Sequence, residues 1–198
     1  MKPTKGLPPM VLASGSRYKQ AMLARLMMPF TIQAADIDET PDAHQSPREN
    51  AERLAEAKAR VLVESRPGSL IIGADQVLAF ENTILHKPGT VENAVAQLQR
   101  LLGKRHTLHT AVYLICSERK WTASFCVDTH LHLYPDIPAA TLRAMVTADK
   151  TWDCVGGYKY ESRGIALMQS VETVDPSAVV GLPLLQLNAV LRGWGYPG

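Results

Sequence analysis

Apolar positions along this chain follow two patterns, which predict strands and helices in alternation. A continuous apolar run at residues 10–13 predicts a short strand, and residues 30–34 can form a second one. Between them, residues 22, 23, 26 and 27 share one helical face, which predicts a helix that includes Leu26 and Met27. Alternation at residues 106–116 and 122–133 predicts two antiparallel strands. Helical spacing returns at residues 47–62, 90–102, 138–146 and 184–191. These elements together predict an α/β protein.

The stretch from 69 to 76 reads Ser-Leu-Ile-Ile-Gly-Ala-Asp-Gln. Its continuous aliphatic run after Pro67 and Gly68 predicts a short strand that is buried on both faces. Asp75 and Gln76 are then expected at the end of this strand, which is where open α/β sheets bind ligands. The alternative is that Asp75 only caps a turn.

Small residues, Ser14-Gly15-Ser16, join the first strand to the first helix. Unpaired backbone N–H groups and the positive end of the dipole attract anions to the start of a helix. The hydroxyl groups of Ser14 and Ser16 and the charge of Lys19 strengthen that tendency. The loop is therefore a candidate phosphate site, and the alternative is a plain serine N-cap.

Four carboxylates, including Glu39, fall within residues 36–42, and the repulsion between them is relieved either by water or by a cation such as a divalent metal.

The sequence Ser46-Pro47-Arg48-Glu49 then has the features of a capping box and predicts the start of a helix. Lys58 lies on the apolar stripe of that helix. A lysine at such a position either extends its ammonium group to water, which is commoner, or directs it into a cleft beside the core.

After the aspartate strand, residues 77–80 and 83–85 predict a hairpin with Glu81 and Asn82 at its tip, and this hairpin leads to Lys87. Residues 153–164 form a second loop with paired glycines and the charges of Lys159 and Glu161, which could also be a surface salt bridge. The C-terminal helix is expected to pack with the lobe that carries these glycines.

His130 and His132 share one face of a strand, where histidines are more often exposed than metal-bound.

Composition excludes several classes of protein. The chain has 198 residues, of which 46% are hydrophobic and 20% charged, which is typical of a globular protein. A net charge of +2 without a basic cluster argues against binding to nucleic acid or to an acidic membrane. Three widely spaced cysteines indicate neither a disulfide framework nor a zinc site. Without a signal sequence or an apolar membrane span, the protein is expected in the cytoplasm.

Seven short motifs occur in the order found in one family. They are Leu12-Ala13-Ser14-Gly15-Ser16, Asp38-Glu39-Thr40-Pro41, Leu54-Ala55-Glu56-Ala57-Lys58-Ala59, Ile72-Gly73-Ala74-Asp75-Gln76-Val77, Lys87-Pro88, Gly156-Gly157-Tyr158-Lys159 and Val180-Gly181-Leu182-Pro183-Leu184. The chain resembles the Maf family of nucleoside triphosphate pyrophosphatases. The resemblance implies a single domain over residues 1–198, with an elongated Maf/Ham-like α/β fold. This fold has a central mixed sheet, flanking helices and an active-site cleft between two lobes, and residues 153–164 belong to the second lobe.

The resemblance also implies a house-cleaning hydrolase that cleaves a nucleoside triphosphate to the monophosphate and pyrophosphate. Asp75 is the expected base for the attacking water, directly or through a metal-bound hydroxide. Glu39 and Asp75 are the expected ligands of Mg²⁺ or Mn²⁺. The phosphate-binding set is expected to be Ser14, Ser16, Lys19, Lys58, Lys87 and Lys159. The family often forms dimers, so a homodimer is possible.

Three positions are similar to the branch of the family that acts on 7-methyl-GTP, namely Tyr18, Gln76 and Glu161. A methylated guanine carries a delocalised positive charge, which suits an aromatic face and a carboxylate. Lys19 and His86 depart from the usual family residues, arginine and glycine, and Lys19 loses the two-pronged contact of arginine with phosphate.

The alternatives are a dTTP/UTP pyrophosphatase, a hydrolase of deaminated purine triphosphates and a non-catalytic nucleotide-sensing regulator.

Overall fold

The computed structural model describes residues 6–197, and a seven-stranded mixed sheet forms its centre. The strands are β1 (Met10–Leu12), β2 (Phe30–Ile32), β3 (Leu70–Phe80), β4 (Thr83–Leu85), β5 (Arg105–Cys116), β6 (Trp121–Leu133) and β7 (Met168–Glu172). Their order is β2-β1-β3-β5-β6-β7, and β4 pairs with β3. Strand β1 is parallel to β2 and β3, whereas β4 and β7 are antiparallel to their partners. The predicted α/β class with a mixed sheet is confirmed.

Residues 6–197 contain five α-helices. They are α1 (Arg17–Ala24), α2 (Pro47–Arg60), α3 (Val91–Leu101), α4 (Ala139–Asp149) and α5 (Leu184–Gly193). The capping box at the start of α2 is confirmed, because Glu49 N donates to Ser46 Oγ at 3.2 Å and Ser46 N donates to the Glu49 carboxylate at 2.7 Å. Short 3-10 turns cover Thr151–Asp153, Val155–Gly157, Arg163–Leu167 and Pro176–Val180.

Contacts divide the chain into two compact units. The first contains the described residues up to Gln76, residues 110–127 and the described residues from Asp175 onward. Its core is built from strands β1, β3 and β5 and helices α1 and α5, and it includes Leu12, Ile72, Leu114, Leu23 and Leu187. The second unit comprises Val77–His109 and Asp128–Val174, and in it α3 packs against α4.

Three sequence-based expectations about the elements are wrong. Strand β3 continues to Phe80, so Asp75 lies within a strand and not at its end. Helix α1 ends at Ala24, and Met27 adopts a left-handed backbone with 73% of its surface exposed, so it does not extend the apolar face. Helix α5 packs in the core of the first unit, whereas Gly156 and Gly157 belong to the second.

Other predicted features are confirmed. Glu81 and Asn82 form the tip of the β3–β4 hairpin, and both have positive φ values, as tight hairpin turns require. Strands β5 and β6 are antiparallel, as predicted. Thr107 on β5 contacts His130 on β6, and two residues further along β5, His109 contacts Asp128, two residues further back on β6.

No helix within residues 6–197 has the length and apolar character needed to span a membrane.

Candidate active site

The candidate site begins where helix α2 crosses strand β3 at close range. A Cβ atom on Gly73 would lie 2.1 Å from the backbone oxygen of Ala55 and 2.8 Å from the backbone nitrogen of Ala59. Only glycine permits this approach, because both neighbours are backbone atoms that cannot rotate away. Gly73 is therefore required for the close packing of α2 on β3, and this packing lets a side chain of α2 reach the polar residues of β3.

Lys58 is the side chain that α2 directs toward β3. Its Nζ atom donates to Asp75 Oδ1 at 2.6 Å and lies 3.0 Å from Glu39 Oε1. Lys58 and Asp75 are both buried, whereas the Glu39 side chain is more than half exposed. The commoner outcome for a lysine on an apolar stripe, an ammonium group extended to water, is wrong for Lys58. The alternative expectation, that its ammonium is directed inward, is correct.

The charge state of Lys58 follows from these contacts. Burial alone would lower its pKa, but Asp75 and Glu39 more than offset this effect and raise the pKa above the usual value. Lys58 is therefore a permanent cation at neutral pH. For Glu39, the Lys58 ammonium group also supplies the cation that one of the two alternatives for the acidic loop at residues 36–42 requires.

The Ser14–Ser16 loop precedes helix α1 as predicted. Ser16 is the N-cap residue, and its Oγ atom accepts from Lys19 N at 3.5 Å. Ser14 Oγ accepts from Ser16 N at 3.2 Å. The N-cap alternative is thus correct for Ser16, but it does not exclude phosphate binding, because the loop still opens a helix with positive dipole potential.

The structure also brings Lys19 and Gln76 to a common point in the first unit. That point is Gly181, which has a φ value of 107°. A Cβ atom there would lie 3.7 Å from Lys19 Nζ and 3.8 Å from Gln76 Oε1. The absence of a side chain at Gly181 leaves room beside an ammonium group and an amide oxygen.

Gln76 and Tyr18 are the two expected specificity residues of the first unit. Gln76 Nε2 donates to Thr110 Oγ1 at 3.0 Å and to the carbonyl oxygen of Ala178 at 2.9 Å. Tyr18 accepts at its hydroxyl oxygen from Arg17 at 2.9 Å, and the Arg17 guanidinium lies over the Tyr18 ring, 5.0 Å from its centroid. The ring is thus compatible with a cationic partner.

The remaining predicted residues, Lys87, Lys159 and Glu161, belong to the second unit. Lys87 and Glu161 are exposed. Lys159 Nζ donates to the carbonyl oxygen of Lys150 at 3.3 Å and to that of Asp149, both at the end of helix α4. A cation at a helix C-terminus interacts favourably with the dipole, so Lys159 stabilises this end of α4.

Sequence reasoning missed two buried polar residues near the site. Thr110 is fully buried on β5, and its Oγ1 atom donates to the Ala178 carbonyl oxygen at 3.1 Å. Asp175 is fully buried as well, and its carboxylate accepts from Ser177 N at 3.1 Å and from Leu185 N at 2.7 Å. For Asp175, the Asp-Pro-Ser sequence is an N-cap signal that could have been found.

The donor set of the site fits a divalent cation in part. Glu39 and Asp75 present carboxylate oxygens from two segments to one point, now held by the Lys58 ammonium group. Mg²⁺ is commonly bound by one or two carboxylates, with water and substrate phosphates as its other ligands. No group of three or more His, Cys, Asp or Glu side chains within residues 6–197 could hold a metal by itself. The two carboxylates therefore fit a cation that phosphate oxygens would help to bind.

Comparison with known proteins establishes the family. Residues 9–194 match the family model described as Maf-like protein, and the chain belongs to the Maf family. A relative from Burkholderia orbicola (strain AU 1054) is 40% identical, and the match covers 96% of this chain and 91% of the relative. A relative from Cupriavidus metallidurans is 38% identical over 96% of this chain and 95% of its own length. Both relatives are named 7-methyl-GTP pyrophosphatase. The resemblance drawn from the seven motifs is confirmed.

Proposed function

We propose that this chain is a nucleoside triphosphate pyrophosphatase that hydrolyses 7-methyl-GTP to 7-methyl-GMP and pyrophosphate. The observation that carries the proposal is the buried contact between Asp75 and Lys58 at 2.6 Å, with Glu39 on the same ammonium group. A carboxylate and a cation held together on rigid elements are what hydrolysis of a phosphoanhydride requires. The names of the relatives from two genera support the choice of substrate.

In the proposed reaction, Asp75 accepts a proton from a water molecule as that water attacks the α-phosphorus. The water oxygen forms the new bond to phosphorus, and the bond to the oxygen that bridges to the β-phosphate breaks. Pyrophosphate leaves with the electron pair of that bond. Asp75 is held in place by Lys58, so the carboxylate is oriented before substrate arrives.

The triphosphate carries several negative charges, which the cationic side chains would balance. Lys58 and Lys19 would contact phosphate oxygens in the first unit, together with the hydroxyl and amide groups of Ser14 and Ser16. Lys87 and Lys159 are the phosphate-binding candidates of the second unit. Lys159 would have to exchange its contact with the end of α4 for a phosphate oxygen, so it is the weakest member of the set.

Glu39 and Asp75 would hold Mg²⁺ or Mn²⁺. A divalent cation bound there supplies additional positive charge to the phosphate oxygens and the leaving group. The Lys58 ammonium group contacts both of these carboxylates.

The base would be recognised by Tyr18, Gln76 and Glu161. The positively charged ring of 7-methylguanine is attracted to an aromatic face and to a carboxylate, which Tyr18 and Glu161 provide. Thymine and uracil carry no such charge. The proposal therefore favours 7-methyl-GTP over dTTP and UTP.

A panel of nucleotides tests the proposed activity. Pyrophosphate release would be measured with 7-methyl-GTP, GTP, inosine triphosphate, dTTP and UTP, each with Mg²⁺, with Mn²⁺ and with a chelator. The highest kcat/KM is expected for 7-methyl-GTP in the presence of a divalent cation. A preference for dTTP or UTP would overturn the choice of substrate, and a preference for inosine triphosphate would indicate a hydrolase of deaminated purines. Nucleotide binding without pyrophosphate release would indicate a sensing regulator.

The proposal extends to a cytoplasmic location and to a homodimer. Sedimentation of the purified chain would test the dimer, and fractionation of cells would test the location.

A further inference from the structure

The carboxamide of Gln76 is fixed in one orientation by its neighbours. Its Nε2 atom donates to Thr110 Oγ1 at 3.0 Å and lies within hydrogen-bond distance of the carbonyl oxygens of Ala178, at 2.9 Å, and Val179, at 3.3 Å. Carbonyl oxygens only accept hydrogen bonds, so the NH₂ group and not the oxygen of Gln76 must face them. A rotation of the amide by 180° would place oxygen against oxygen.

Thr110 strengthens the preference for this orientation of the Gln76 amide, because the Thr110 hydroxyl proton is already used in another hydrogen bond. Its Oγ1 atom donates to the Ala178 carbonyl oxygen at 3.1 Å, and the side chain is completely buried. The hydroxyl group can therefore only accept from Gln76, and it rejects the rotated amide in the same way as the two carbonyl groups. Thr110 and Ala178 together define a pocket for an NH₂ group.

The segment that carries Ala178 is itself held in place. Asp175 accepts from Ser177 N at 3.1 Å, from Ser177 Oγ at 2.6 Å and from Leu185 N at 2.7 Å. These contacts join the 3-10 turn at Pro176–Val180 to the start of α5. The acceptor at Ala178 is therefore part of a rigid element and does not adapt to the amide.

The oxygen of Gln76 is left on the opposite side. Within residues 6–197 it accepts no hydrogen bond, and it lies 3.8 Å from the position that a Cβ atom on Gly181 would occupy. Lys19 Nζ lies 3.7 Å from the same position. A ligand that enters this space would meet one ammonium group and one fixed carbonyl oxygen.

We propose that Thr110 is a positioning residue that orients Gln76, so that Gln76 offers the nucleotide base a hydrogen-bond acceptor and not a donor. The site then selects a base edge that carries N–H groups at this point. Guanine offers N1–H and its 2-amino group, whereas adenine offers the unprotonated N1 atom and, beside it, a nonpolar C2–H group. With adenine bound, the Gln76 oxygen would face the N1 atom, and two hydrogen-bond acceptors would be left opposite each other without a proton. The site would therefore discriminate strongly against adenine. This inference rests on the proposed function, because it assigns the base-binding role to Gln76.

The test uses Thr110→Val, which keeps the shape of the side chain and removes the hydroxyl group. The ratio of kcat/KM for 7-methyl-GTP to that for ATP is expected to fall about tenfold, mainly through a higher KM for 7-methyl-GTP, with kcat for that substrate within about twofold of the unmodified chain. Thr110→Ser retains the hydroxyl and is expected to restore the ratio. The matched control is Thr129→Val on β6, since Thr129 is an equally buried threonine whose hydroxyl contacts Thr173 in the second unit.

A second measurement does not depend on activity. The side-chain amide protons of Gln76, observed by NMR, are expected to exchange with solvent about tenfold faster in Thr110→Val than in the unmodified chain or in Thr129→Val. Equal exchange in all three proteins would overturn the positioning role of Thr110. Faster exchange without a change in the substrate ratio would overturn the base-binding role assigned to Gln76. A chain that releases no pyrophosphate from any nucleotide, yet shows the faster exchange, would contradict the proposed function and leave the orientation of Gln76 supported.

Discussion

Lys58 Nζ lies 2.6 Å from Asp75 Oδ1, and the two side chains are only 11% and 10% exposed. Their charges are 17 residues apart in sequence and meet because Gly73 lets α2 lie against β3. Removing two charges from water is costly, and their mutual attraction largely repays that cost only while both are present. The pair is therefore better explained as a preorganised reactive group than as a source of stability.

Removal of Lys58 alone is expected to destabilise the protein. Lys58→Met leaves the Asp75 carboxylate buried without its cation, which costs about 3 kcal/mol of the free energy of unfolding, measured by urea denaturation at pH 7. The double variant Lys58→Met with Asp75→Asn is expected to lose less than the sum of the two single changes, because no charge is then buried. The control is Arg60→Met on the same helix, whose half-exposed ion pair with Glu56 is expected to contribute about 1 kcal/mol or less. Strictly additive losses would contradict a coupled pair.

Gly73→Ala is expected to abolish most of the activity without touching any charged group. Its Cβ atom would lie 2.1 Å from the Ala55 carbonyl oxygen, so α2 must move away from β3 and carry Lys58 with it. A displacement of about 1 Å in a reactive group reduces turnover on the order of 100-fold. The control is Gly193→Ala near the end of α5, where a Cβ atom meets nothing within 4 Å and alanine favours the helix. Normal kcat in Gly73→Ala would show that the α2–β3 approach is not needed for catalysis.

His106 gives the protein a predictable loss of stability in acid. It is buried against Tyr158, with a distance of 2.8 Å between its Nε2 atom and the Tyr158 hydroxyl oxygen, and burial followed by repulsion from His132 lowers its pKa from 6.5 to about 4. The unfolded chain then binds a proton between these values that the native chain does not. The contribution of neutral His106 to the free energy of unfolding is fully present above pH 6.5. It is lost as the pH falls to 4, and the loss is up to about 3 kcal/mol.

Urea denaturation between pH 4.5 and pH 7 measures this loss. His106→Phe removes the titrating group and is expected to flatten the dependence of unfolding free energy on pH, whereas His44→Gln, at an exposed position, is expected to retain the full slope. Identical slopes in the two variants would show that another group is responsible.

Local signals explain which parts of the fold the sequence could predict. The capping box at Ser46 and Glu49 and the hairpin tip at Glu81 and Asn82 depend on neighbouring residues, so they can be recognised from short stretches of sequence. The prediction that Asp75 lies at the end of a strand is wrong for a physical reason. Glycine suits both a turn and a close helix approach, and only the position of Ala55 shows that Gly73 serves the second purpose.

The candidate site could be predicted only in part. The seven family motifs identified Asp75, Lys58 and Glu39, and the structure brings these three side chains together. The partners of Thr110 could not be found, because Ala178 lies 68 residues further along the chain and contributes only its backbone oxygen. Every residue type has a backbone oxygen, so a hydrogen bond to one does not restrict the residue at that position and cannot be recognised from the sequence.

The most direct test of the central claim is pyrophosphate release from 7-methyl-GTP by the unmodified chain and by Asp75→Asn. Asparagine keeps the shape and the hydrogen-bonding oxygen of aspartate but cannot take a proton from water, so kcat is expected to fall at least about 100-fold. Glu56→Gln on the exposed side of α2 serves as the control and is expected to retain full activity. Circular dichroism would verify that Asp75→Asn remains folded. A folded Asp75→Asn protein that releases pyrophosphate at the rate of the unmodified chain would contradict the assignment of Asp75 as the base.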